Sequence, residues 1–77
     1  MTINDARQLL EWCQAQAAHA LDGLDDSQAH TAVEDVASVI WRHAHGQGLG
    51  VGDDWGWVLE MYDSKRISEI VQASVAG

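Results

Sequence analysis

The chain has 77 residues and a net charge of −8, from 12 acids against 4 bases, which excludes direct nucleic-acid or anionic-membrane binding because both polyanions would be repelled. An apolar fraction of 47% lies well above the disordered range and predicts one packed domain over residues 1–77, near the lower size limit for folding alone. The single cysteine, Cys13, excludes an intramolecular disulfide. With no signal peptide and no long apolar run, the chain reads as cytoplasmic and free of membrane spans.

The first predicted helix covers residues 3–22. Thr2 serves as its N-cap and Asp5 stands three residues on, at the capping-box position. Apolar residues recur every three to four positions at Ala6, Leu9, Leu10, Cys13, Ala17, Ala20 and Leu21, marking one face. Gly23 stops the helix in a left-handed conformation, with Leu24 packing back. Asp25, Asp26 or Ser27 caps a second helix over residues 27–45. Its inner face reads Ala29, Val33, Val36, Ala37, Ile40 and Ala44, and Gly46 is the expected stop. The short link makes the two helices antiparallel.

Glycine at every second position from Gly46 to Gly52 predicts a loop. Asp53 and Asp54 are expected to cap the next element. Residues 55–76 have two readings. As helix, Trp55, Val58, Leu59 and Tyr62 share one face, and Ile67, Ile70, Val71 and Val75 share another, so two short helices meet near Asp63 and Ser64. As strand, the alternating large residues from Trp55 onward form a β-hairpin turning at Asp63 to Arg66. The predicted fold is all-α: an antiparallel helical hairpin plus one or two short C-terminal helices. The alternative is α+β, with a β-hairpin over residues 55–72.

No residue set makes a strong case for catalysis, a cofactor or a metal. His43 and His45 have the most metal-like spacing, but positions two apart point about 200° away from each other on a helix, and a structural zinc site needs two further ligands. The alternating glycines lack the strand before and the Lys-Ser/Thr after that phosphate loops require. Cys13 sits in the middle of an apolar stripe, where a nucleophile is out of place. The adjacent carboxylate pairs splay apart on a helix.

Four tryptophans in so short a chain are more informative. Trp12 and Trp41 lie off the main apolar stripes of their helices, where a large aromatic is often a binding anchor. The plainer reading is that both flanks face the last third and widen the core. The acids fall in groups: Asp22, Asp25 and Asp26 at one end of the helix pair, Asp53 and Asp54 at the other, Glu34 and Asp35 between. Such a row imitates a phosphate backbone, although capping accounts for most of the same residues.

The expectation is a non-enzymatic protein-protein interaction module that needs no cofactor. Its partner is a protein with a basic surface, and its role is inhibition or modulation of a nucleic-acid-binding protein. Small phage-encoded antagonists of bacterial defence share this size and charge, an analogy that no motif carries. The candidate partner-binding residues are Trp12, Trp41, Glu34 and Asp35, then Asp53 and Asp54. A small ligand- or metal-binding protein using His43 and His45, or a self-assembling homodimer, is the alternative.

Overall fold

The computed structural model describes residues 1–76. Four helices follow in order: α1 (Ala6–Ala17), α2 (Asp26–Gly46), α3 (Gly56–Leu59) and α4 (Ser64–Ala76). The fold is all-α, with the expected antiparallel hairpin and two C-terminal helices. No strand forms among the described residues; Thr2 and Asp54 make an isolated antiparallel bridge. The β-hairpin alternative fails because Asp63 caps a helix where the turn was expected. Its Oδ1 accepts the Arg66 N–H at 2.8 Å.

The ends of α1 depart from the expected 3–22. Asp5, not Thr2, is the N-cap, accepting the Gln8 N–H at 2.8 Å, while the Gln8 amide oxygen accepts the Asn4 N–H at 2.7 Å. Thr2 is spent on the bridge to Asp54, and Ile3 is fully buried with its N–H on the Asp53 carbonyl. An extended segment anchored in this way cannot also be the first turn. Beyond Ala17 the chain loosens into successive turns up to Gly23 (φ 85°), and Leu24 then packs against the core.

Asp25 opens α2 with a full capping box, its side chain paired reciprocally with Gln28. Gly46 remains helical, and the stop is Gly48. At φ 84° Gly48 takes the left-handed conformation, its N–H meets the His45 carbonyl at 3.0 Å, and the Leu49 N–H reaches the Ala44 carbonyl at 2.9 Å. That pair of bonds is a Schellman motif, with Leu49 as its apolar contact.

α2 packs against each of the other helices, and α1 also touches α4. Leu9 and Cys13 of α1, Val36 and Ile40 of α2, and Ile67 and Val71 of α4 meet in one buried cluster. Ala17, Ala32 and Ala44 are fully buried within it, and their small side chains let the backbones come close. Trp55, Val58, Leu59 and Tyr62 all face inward, the set the helical reading put on one face. Trp55 is completely enclosed, and its indole N–H donates to the Gly50 carbonyl at 3.0 Å. Trp57, two residues on, is 48% exposed.

Two tryptophans of one short element therefore have opposite roles. Trp55→Ala is expected to cost about 3–5 kcal/mol, close to all the stability such a domain holds, and to abolish cooperative urea unfolding. Trp57→Ala is expected to stay within about 0.5 kcal/mol of the parent in the same measurement.

Candidate protein-binding site

Trp41 lies on the flank of α2 that faces α1. Its ring is half-buried and packs between two others, Trp55 at 5.3 Å and His45 at 4.9 Å. The exposed side of Trp41 closes one end of a shallow depression of about 430 Å³, bounded by Ala6 and Leu10 of α1 and by Ala37, Ser38 and Glu34 of α2. A second depression, about 270 Å³, lies between Gln14 and Leu21 on one side and Asp26, Ala29, His30 and Val33 on the other. Ala6, Leu10 and Gln14 are spaced four apart on α1, and His30, Glu34, Ala37 and Trp41 three or four apart on α2. Helical spacing therefore puts both depressions on the same side of the hairpin, one toward each end. The His30–Glu34 contact lies between them.

The other candidates are dispersed. Trp12 is half-buried against the core, about 200° around α1 from Leu10 and so away from this face. Asp35 sits beside the opposite flank of α2, where it accepts the Ser74 hydroxyl of α4 in a second groove with Val39, Arg42 and Ile70. The structure thus brings Trp41 and Glu34 together and separates both from Trp12 and Asp35. Asp53 and Asp54 belong to the loop end. Asp53 does not cap the next helix; its carboxylate turns back to the Gly50 N–H at 2.7 Å. Nor does Asp54: the N-cap of α3 is Trp55, with no side-chain cap bond, and Asp54 lies one residue earlier, accepting the Gly56 N–H at 2.9 Å and the Met1 amino group at 3.1 Å.

Ala6, Leu10, Ala37 and Ser38 join the site without having been singled out in the sequence. Their signal was present, because Ala6, Leu10 and Ala37 sit on the edges of the two apolar stripes that face each other in an antiparallel pair.

The remaining chemistry is structural. His43 Nδ1 pairs with the Tyr62 hydroxyl at 2.7 Å, while His45 stacks on Trp41, so the two imidazoles serve different neighbours. Among the described residues no group of three or more His, Cys, Asp and Glu side chains is placed to hold a metal. The glycine loop turns its Gly50 N–H onto Asp53 instead of toward an anion. Burial pushes the Cys13 thiol up to about 12, which leaves no thiolate near neutrality. No helix among the described residues is long and apolar enough to cross a membrane.

Comparison with known proteins finds no matching family model, curated relative or solved structure.

Asp54 is held below the usual carboxylate range, first by the Gly56 N–H and then by the Met1 amino group. Its folded value is depressed, so its contribution to stability is complete above the unfolded value and disappears as pH falls through the folded one. Asp54→Asn is expected to lower the melting temperature at pH 7. The gap from the parent should narrow below about pH 4; a gap independent of pH would refute the ionic contribution.

Proposed function

We propose that this chain is an acidic protein-binding module whose partner presents a basic surface, and that it inhibits or modulates a nucleic-acid-binding protein, as small phage antagonists of bacterial defence do. The observation that carries the reading is Trp41, a partly buried aromatic lining an apolar depression that Glu34 also lines. Tryptophan beside desolvated apolar contacts is the commonest kind of binding anchor. A carboxylate at the rim adds orientation and faster encounter.

Charge placement supports the same reading. All 12 carboxylates are exposed. Among the described residues, ion pairs engage only Glu11 with Arg7, Asp54 with the amino terminus, and Glu34 with His30 when that imidazole is protonated. Asp22, Asp25 and Asp26 lie at one end of a molecule 34 Å long, Asp5, Asp53 and Asp54 at the other, and Glu34 and Asp35 between them. From Asp26 to Glu34 is about 12 Å along the helix axis. Carboxylates at such intervals occupy a nucleic-acid groove on a basic protein without needing base contacts.

The test is affinity capture from bacterial lysate at low and high salt, comparing the parent with Glu34→Lys and Asp35→Lys. Both substitutions change the charge equally, so both should slow association at low salt. Only Glu34→Lys should also speed dissociation of the captured partner, by about tenfold or more. Capture that ignores salt, or that falls equally in the two variants, removes the site from the proposal.

A further inference from the structure

We infer that the occupant of the α1–α2 face is a basic amphipathic helix of the partner, laid along the hairpin with an apolar residue against Trp41 and arginines over Glu34 and Asp26. The inference rests on the proposed function and adds the shape and chemistry of the segment bound.

The two depressions run in line along the hairpin, toward its opposite ends, which suits a rod and not a compact loop. The first is mainly apolar, with Leu10 and Ala37; the second combines Leu21, Ala29 and Val33 with the polar Gln14, Asp26 and His30. Their acidic members are Glu34 and Asp26, eight residues or about 12 Å apart on α2. On a docked helix that spacing corresponds to two basic residues seven or eight positions apart, with apolar residues at three- and four-residue spacing between them and continuing about two turns past the one over Glu34 to reach Trp41. Arginine fits better than lysine, because its planar fork pairs with carboxylate and stacks on indole.

A second copy of this chain fits poorly. None of the chain's four bases lines either depression. A symmetric pairing of two chains of net charge −8 through this face would crowd Asp26 and Glu34 of one copy against the same residues of the other. The chain's own α4 is already committed, since it packs along α2 on the Asp35 side.

The probe is a synthetic peptide of about 18 residues of leucine, alanine and arginine, roughly 27 Å long as a helix. Leucines line one face and two arginines stand eight apart beside it. The control has the same composition with the leucines distributed around the helix. Amide chemical shifts of the whole protein are followed during titration at low salt. Expected are shifts at Ala6, Leu10, Glu34, Ala37 and Trp41 and also at Leu21, Asp26 and Val33, and about tenfold weaker binding of the control. Ala6→Arg, at an exposed first-turn position, should weaken the peptide by about tenfold while leaving the circular dichroism unchanged.

Shifts spread equally to Glu60 and Glu69, equal binding of the control, or an unaffected Ala6→Arg would overturn the helical occupant. If the peptide misses this face while lysate capture still depends on Glu34, the proposed function stands and the helix is wrong. Failure of both experiments removes both.

Discussion

The enclosure of Trp55 ties together parts of the chain that are far apart in sequence. Its backbone N–H bonds the Met1 carbonyl, its indole N–H bonds the Gly50 carbonyl, and its ring meets Trp41 of α2. One residue thus joins the amino-terminal segment, through its backbone, to the glycine-rich loop and the end of α2, through its side chain. The loop can be rich in glycine because its position is set from both sides: Gly48 terminates α2 and Trp55 pulls the other end inward. Loss of that anchor frees the extended residues 1–3 as well, whose polar groups then need water or new partners.

The same point of convergence shapes the candidate site. Trp41 cannot turn fully to solvent, because Trp55 and His45 hold it from two sides. It presents an edge of fixed orientation, and a rigid aromatic edge loses little entropy when a partner covers it. Glu34 sits about two helical turns away on an exposed surface and supplies charge without burying it. An apolar anchor beside a solvated carboxylate avoids the desolvation penalty of a buried ion pair.

Much of the architecture was legible from spacing and capping. The two long helices follow from apolar stripes, with Asp25, Asp26 or Ser27 as the cap of the second, and the inward set Trp55, Val58, Leu59 and Tyr62 follows from helical phase. What local pattern missed was tertiary. Thr2 is as good a cap as Asp5 in isolation, and only the bridge to Asp54 takes it out of the helix. Gly46 and Gly48 are equivalent as sequence, and the apolar contact of Leu49 selects the later one. For the site, sequence singled out Trp41 and Glu34 together with Trp12 and Asp35. Helical spacing already turns Trp12 away from Leu10, but the commitment of Asp35 to another surface depends on which side α4 occupies.

Cys13 gives the molecule an internal clock. Its sulfur is sealed at the centre of the α1 stripe, and its thiol is too weakly acidic to react where it sits. An alkylating reagent meets it only when α1 leaves α2 and α4 together, which in so small a core amounts to opening the whole molecule. Every modified Cys13 therefore counts one excursion to the open state. A ligand that clamps α1 to α2 lowers that count in proportion to its occupancy, so the alkylation rate of one atom reports binding at a surface it never touches.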